Sequence, residues 1–346
     1  MIYMGSLGHS VLIDPSSEHF LKNKLFDLTD PSLNRDDTLL PFHRLKRLLS
    51  DKNIALNTPD MVPIGNCEAK MHRYFSLGML SNIAALNEKN EIELKGFMIM
   101  EPPIVAPEQY DALPELTKKF EKVYVHNTVG DGYSLEGVDQ ARLEKLYWPQ
   151  PYLGVIHQFW QKTDRLNRIV VINGNHKPKK LNHELYSKRI DAMATLSKFN
   201  IVDLYGRGWG RWWSRTSSWL PYWLNRTKLM SIYKGECTSK YEILSSYKYC
   251  LCFENMEMKG YVSEKLFDCL YAGTIPIYWG APDIDSLIPS EVFIDARKFS
   301  SWSDLWIKVN SLSAEEVCKM RESAKVFLTS NRFLKYYNSL ENIVGQ

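Results

Sequence analysis

No stretch of this 346-residue sequence approaches the roughly 20 consecutive apolar residues of a membrane-spanning helix. The opening residues, MIYMGSLGHSVLI, have neither a basic leading region nor a full apolar core, so no signal peptide is expected. A dominant charge is missing too: the net charge is +3, too small to imply a nucleic-acid partner. The six cysteines (Cys67, Cys237, Cys250, Cys252, Cys269, Cys318) form no CxxC pair and no zinc-ligand spacing. Three of them lie in an apolar core stretch, and all read as reduced thiols of a reducing compartment rather than as disulfide staples. No glycine fingerprint follows the first strand pattern, so no dinucleotide cofactor is expected there. GRGWG (Gly206 to Gly210) imitates part of one. However, no apolar-periodic helix begins after it, and no acidic residue closes a second strand ~20 positions on. With 45% hydrophobic and 24% charged residues, what remains is a globular chain long enough for two domains or one large α/β domain.

What the chain does have is concentrated between Tyr247 and Gly280: YKYCLCFENMEMKGYVSEKLFDCLYAGTIPIYWG. Tyr249, Leu251 and Phe253, with Cys250 and Cys252 between, read as a buried strand, and Thr274 to Trp279 as a second. Between them Val262, Leu266, Phe267, Leu270 and Tyr271 fall at helical spacing, with Ser263 as N-cap and Gly273 as C-terminal stop. The unit is a βαβ crossover with a ligand-sized gap at the carboxyl end of its first strand. Glu264 and Lys265 occupy the first helical turn, beside N–H groups that have no intrahelical partner. A helix N-terminus favours an anion. The lysine adds a full positive charge, and the neighbouring carboxylate can accept hydrogen bonds from sugar hydroxyls. The set suits a nucleoside diphosphate with its ribose, although residue types alone favour a surface turn with an i,i+1 charge pair.

FEN followed by GYVSEKLFDCLYAGTIPIYWG resembles the signature of glycosyltransferase family 10, the α1,3/1,4-fucosyltransferases. That signature reads FEN, a short spacer, Y-[IV]-[TS]-E-K-[ILF], a helix, then AG-x-[IV]-P-[IV]-x-x-G, and every position is met between Phe253 and Gly280. The resemblance, to the bacterial type, implies an α/β fold of GT-B architecture: two Rossmann-like domains facing a central cleft. Residues 1–155 are then expected to form the acceptor domain and 156–320 the GDP-sugar donor domain. Residues 321–346 would be a helical tail folding back towards the first domain. It also implies that Glu264 binds ribose hydroxyls, that Lys265 and Arg189 contact the donor diphosphate, and that Asn255 and Tyr261 line the donor pocket. Lys188 is adjacent to Arg189 and is its rival. Animal members carry an N-terminal membrane anchor; this chain begins at Met1 without one, so a cytoplasmic enzyme, peripheral at most to the inner membrane face, is expected, an excised catalytic domain being the other reading.

In the first half, PFHRLKRLLSDKNIALNTPD reads as an amphipathic helix (Phe42, Leu45, Leu48, Leu49) followed by a strand and turn. HSVLIDP reads as a strand. Gly96 to Met100 and Val123 to Asn127 read as further strands. Glu101 stands at the carboxyl end of the first of these two, immediately before two prolines that fix φ and deter a helix. Strand carboxyl ends are where open α/β sheets place their sites. A glutamate in this context is the catalytic base of the resembled family; Glu108 is the rival, and a solvated loop glutamate the plain reading. YWPQPYLG (Tyr147 to Gly154) reads as an interdomain linker. NRIVVINGN, LYSKRIDAMATLSKF and NIVDLYGRG then supply strand, helix and strand.

Residues 209–240 hold half of the ten tryptophans (Trp209, Trp212, Trp213, Trp219, Trp223), interleaved with Arg211, Arg215, Arg226 and Lys228 just past Arg207. Trp with Arg and Lys suits an anionic membrane surface or stacking on acceptor sugars. An insertion packed on the donor domain is the alternative. Asp283 and Asp285 have DxD metal spacing, but capping acids of a turn suffice and the resembled family works without metal. No cofactor is therefore expected beyond GDP-fucose as donor substrate. The expected reaction is inverting transfer of fucose to a glycan hydroxyl, with α1,3 linkage, on bacterial surface polysaccharide or lipopolysaccharide. Met256 after FEN and the 209–240 segment depart from the family pattern. They leave open another GDP-linked deoxysugar as donor, and from a different class a non-catalytic nucleotide-sugar binding protein.

Overall fold

The computed structural model describes residues 10–62, 71–82 and 91–345; Cys67 and the opening residues lie outside this set. The chain forms two units, Met1–Pro151 with Tyr336–Gln346, and Tyr152–Lys335.

The first unit carries six strands: β1 (Ser10–Asp14), β2 (Ala55–Asn57), β3 (His72–Ser76), β4 (Ile92–Met98), β5 (Lys122–Val125) and β6 (Leu143–Lys145). They form a parallel sheet in the order β2-β1-β3-β4-β5-β6. A parallel sheet has both faces covered, and alternate residues go to opposite cores. Val11 and Ile13 join Phe75 and Met98 on one face; Leu12 joins Tyr74, Phe97, Val123 and Val125 on the other. The helix α1 (Leu40–Asp51) buries Leu45 and Leu49 and carries Pro41 in its first turn, where no intrahelical N–H is needed. β4 begins four residues before the expected Gly96. Glu93 and Lys95 interrupt the apolar run there, and Lys95 is ion-paired to Glu93 at 3.4 Å and Glu121 at 2.8 Å. The helix Ser339–Val344 returns to this unit and adds Leu340, Ile343 and Val344 to its core. Arg44 secures it, with Nε 2.7 Å from Glu341 Oε1, the guanidinium stacked 3.8 Å over the Tyr337 ring, and a hydrogen bond donated to the Tyr337 carbonyl.

The second unit holds β7 (Leu166–Ile172), β8 (Val202–Tyr205), β9 (Tyr233–Gly235), β10 (Tyr247–Phe253), β11 (Ile275–Trp279) and β12 (Ile294–Asp295). Its sheet is also parallel, in the order β12-β11-β10-β7-β8-β9. Helices α2 (Tyr186–Leu196), α3 (Leu220–Ile232), α4 (Glu264–Ala272) and α5 (Ala314–Phe327) connect and cover it. The chain lays down β7, β8 and β9 outward, then returns to β7's other side for β10. The switch point therefore falls between β7 and β10, and the crevice for a ligand lies beyond their carboxyl ends. GRGWG follows β8, and the next helix, α3, starts only at Leu220. Among the described residues no helix is long and apolar enough to cross a membrane.

Candidate functional site

β10 ends at Phe253, and the next residue, Glu254, stands at the switch point with no solvent-exposed surface. A bare carboxylate there would be costly. It is held by three donors: Ser263 N–H at 2.8 Å and Ser263 Oγ–H at 2.7 Å, with Lys265 Nζ at 3.2 Å. Lys265 also donates to Ser263 Oγ at 2.9 Å. Ser263 sits at the N-cap of α4 as its spacing predicts, yet its hydroxyl serves Glu254 instead of capping the helix. Lys265 keeps its side chain 20% exposed and Glu264 33%, with 3.8 Å between Nζ and Oε1. Burial pushes the Glu264 carboxyl up, but the charges of Lys265 and Lys240 outweigh it and hold it below the ordinary glutamate value. The rim therefore presents one cation and one ionised carboxylate at neutral pH. At the other end of α4, Gly273 takes φ +73°, the left-handed stop that glycine adopts without strain.

The remaining signature residues pack around this cluster. Asn255 Nδ2 donates to Tyr261 Oη at 3.4 Å, and Tyr261 is fully buried. Gly280 must lack a side chain, since a Cβ there would lie 2.5 Å from Glu254 Cγ and 2.3 Å from Tyr278 Oη. Arg189, on α2, is buried, and its Nη2 donates to the Phe253 carbonyl at 2.8 Å and the Glu254 carbonyl at 3.0 Å. It braces the end of β10 from beneath, and burial pulls its guanidinium below the usual arginine value. Its rival Lys188 is exposed, with Nζ 5.9 Å from the Trp279 ring centre. All five donor-side candidates thus meet at one strand end, and Glu254 and Ser263 join them. Sequence reasoning passed over Glu254, although a charged residue closing a buried strand is the signal that singled out Glu101. Asp283 accepts the Gly260 N–H at 2.8 Å, a loop-fixing contact.

In the first unit Glu101 follows β4 on a bend and is half-buried. Its backbone is fixed from both sides. His126 Nε2–H donates to the Met100 carbonyl at 2.7 Å, and Tyr110 Oη donates to the Glu101 carbonyl at 3.1 Å. The Pro102 carbonyl closes the turn, accepting from Val105 at 2.9 Å and Ala106 at 3.0 Å. His126 is buried; burial first, then the charge of Lys145, pushes its pKa down to about 3, so the ring is neutral. Glu108 lies exposed on the short helix Pro107–Asp111. Neither His126 nor Tyr110 was visible as a support from sequence, because each acts on main chain brought close only by folding.

The tryptophan-rich segment divides. Trp209 is buried and donates Nε1–H to the Asn173 carbonyl at 2.7 Å; Trp219 and Trp223 pack against the same core. Trp212 and Trp213 are 73% and 66% exposed, beside Leu220 at 69% and Leu224 at 74%.

Residues 173–322 match the family model for the glycosyltransferase family 10 (fucosyltransferase) C-terminal region. The α-(1,3)-fucosyltransferase FucT of Helicobacter pylori is 41% identical over 66 residues, 19% of this chain and 14% of that protein. An α-(1,4)-fucosyltransferase of Arabidopsis thaliana is 39% identical over 74 residues, 21% of this chain and 18% of that protein. The GDP-fucose protein O-fucosyltransferase 3 of Xenopus laevis is 29% identical over 136 residues, 39% of this chain and 27% of that protein. The chain therefore spans less than a third of the length of these curated relatives. Among solved structures, an α1,3-fucosyltransferase superposes with TM-score 0.54 at 15% identity, covering 99% of this chain and 93% of that one. Anabaena HepE in complex with UDP-glucose superposes with TM-score 0.55 at 11% identity, covering 98% of this chain and 100% of that one. These likenesses establish the fold, that of the GT-B glycosyltransferases.

Proposed function

We propose that the protein transfers fucose from GDP-fucose to a glycan hydroxyl with inversion, a reading supported by the match of residues 173–322 to the family model for the glycosyltransferase family 10 (fucosyltransferase) C-terminal region. The observation that carries this reading is the buried Glu254 aligning Ser263 and Lys265 at the N-terminus of α4, on the switch point of the second sheet. A lysine in the first turn of a helix suits a diphosphate, and an ionised Glu264 suits ribose hydroxyls. In the reaction the acceptor oxygen forms a bond to the anomeric carbon as the bond from that carbon to the diphosphate breaks. The acceptor proton goes to Glu101, assistance typically worth ~10²–10⁴ in rate. Lys265, the end of α4 and the Arg189 charge beneath β10 stabilise the departing GDP, a role that would otherwise fall to a metal. Asn255 and Tyr261 shape the pocket. The acceptor class in this reading is bacterial surface polysaccharide or lipopolysaccharide, with α1,3 linkage. Cys250, Cys252 and Cys269 are free and buried, which fits a reducing, cytoplasmic setting. Trp212, Trp213, Leu220 and Leu224, set among arginines, are assigned as the contact with an anionic membrane face.

A two-variant comparison tests the proposal. Lys265→Ala should weaken GDP binding, whereas Glu101→Gln should leave it nearly intact and abolish transfer. Unchanged GDP affinity in the first removes Lys265 from the site, and undiminished transfer in the second removes Glu101 as base. A thermal-shift comparison of GDP-fucose with other GDP-linked deoxysugars decides the donor.

A further inference from the structure

The amino-terminal rim of the second sheet, at the opposite end of α4 from Lys265, holds a second collection of positive charge. A cavity of about 180 Å³ there is lined by Thr163, Arg165, Lys248, Gly273 and Arg321 with the apolar Leu312, Ala314 and Val317, and no carboxylate lines it. A Cβ placed on Gly273 would fall 3.1 Å from Nη2 of Arg165 and 3.1 Å from Nη2 of Arg321, so two guanidinium groups flank one point.

The two arginines are held differently. Arg165 donates to the carbonyls of Lys162 (3.1 Å), Phe159 (2.8 Å) and Ala272 (2.7 Å), and more weakly to Tyr247 and Thr274. Its donors are engaged, and it contributes charge. Arg321 lies 4.9 Å over the Trp160 ring and donates Nη2–H to the Trp160 carbonyl at 2.6 Å. Its Nε is buried without a hydrogen-bond partner. The side chain of Lys248 has no ion pair among the described residues. The C-terminus of α4 offers about half a negative charge beside Arg165, and in the first turn of α5 Glu315 and Glu316 follow the cap, with Glu316 engaged by the Ser313 N–H at 2.8 Å; neither glutamate lines the cavity. Burial pulls the pKa of Arg165 down to about 10, with the charge of Arg321 as the second cause.

We propose that this cavity binds a phosphate group, free or carried on a larger molecule, seated between Arg321 and Lys248 with Arg165 as a fixed charge behind it. A tetrahedral dianion accepts from the unengaged guanidinium N–H groups and the ammonium together, and neutralises the crowded pair. The volume holds a phosphate with a water or two and is too small for a whole nucleotide, which takes a pocket of several hundred Å³.

The crevice at Lys265 also attracts phosphate, so the test uses the full chain carrying Lys265→Ala, with inorganic phosphate titrated at constant ionic strength and read by thermal unfolding. Phosphate should still raise the melting temperature of that chain. Adding Lys248→Gln or Arg321→Gln should raise the phosphate dissociation constant at least about tenfold, the scale of losing one charge-assisted bond. Lys248 is half-exposed, so its replacement keeps the test interpretable if Arg321→Gln unfolds. A phosphate shift that vanishes with Lys265→Ala alone, or that ignores Lys248→Gln, overturns the proposal. With serine at Trp212 and Trp213 to remove the other vesicle contact, co-sedimentation with phosphatidic acid vesicles that Lys248→Gln weakens would assign the phosphate to a lipid headgroup; phosphate binding with vesicle binding absent or indifferent to Lys248→Gln assigns the free ion.

Discussion

Replacing Glu254 by glutamine keeps the shape of the side chain and removes its charge. The three donors on this carboxylate are Ser263 N–H, Ser263 Oγ–H and Lys265 Nζ, at 2.8, 2.7 and 3.2 Å. A glutamine carbonyl at the Oε1 position keeps only the Ser263 N–H and turns its NH₂ group on Lys265 Nζ, donor against donor, where only the serine hydroxyl can rotate to accept; at the Oε2 position it keeps the other two, as neutral-acceptor bonds, and turns the NH₂ group on the Ser263 N–H. Loss of one member of a buried ion pair costs about 3–5 kcal/mol, and each hydrogen bond to a charged group accounts for roughly 1.5–3 kcal/mol of that. For a unit of this size, 1 kcal/mol moves the melting temperature by roughly 2–4 °C, so Glu254→Gln should melt on the order of 10 °C lower. Calorimetry on the parent, Glu254→Gln, Lys265→Met and the double variant closes a cycle. The coupling between the two sites should be at least about 1 kcal/mol, and GDP affinity should fall in Glu254→Gln without any loss of direct contact. Melting within a degree of the parent, with donor affinity intact, would refute the view that Glu254 organises the site.

Three further outcomes are expected. His126 is neutral in the fold, with a pKa of about 3 against 6.5 for the free side chain. The unfolded chain binds the extra proton between those values, so this group lowers stability as pH falls below 6.5, by about 2 kcal/mol at pH 5; urea unfolding at pH 7 and pH 5 should show that His126→Asn loses this component of the slope. Gly280→Ala should destabilise the second unit by roughly 1–3 kcal/mol through overpacking against Glu254 and Tyr278, and an unaltered calorimetric transition would contradict the close approach. Serine at both Trp212 and Trp213, which are 73% and 66% exposed, should cut binding to anionic vesicles several-fold while leaving the melting temperature within about 1 °C. Equal vesicle binding by parent and variant would remove the membrane assignment from this segment.

The legible parts of this chain were those where local pattern and tertiary demand coincide. The βαβ crossover from β10 through α4 to β11 follows the apolar spacing closely, because both strands are buried on both faces and the helix is buried from Leu266 to Ala272. Glycine also read true: Gly273 stops α4 in the left-handed region. The start of β4 was hidden because Glu93 and Lys95 satisfy each other and Glu121 across strands, so charged residues sit in a strand without breaking it. The supports around Glu101 were hidden for a different reason. His126 and Tyr110 act on the carbonyls of Met100 and Glu101, and nothing in the spacing of the sequence says which carbonyl a distant ring will reach. Arg189 carries a second part that spacing did not show: beside the diphosphate role expected of it, its Nη2 holds the carbonyls of Phe253 and Glu254.

The return of residues 336–346 to the first unit has a consequence for biosynthesis. Translation delivers β1 to β6 early, yet Leu340, Ile343 and Val344 complete their core only after every residue of the second sheet has been made. The first unit therefore keeps an apolar gap beside Leu45 and Leu49 throughout synthesis of the second, the interval in which a nascent chain depends most on a chaperone. A truncation at residue 335 would make that interval permanent.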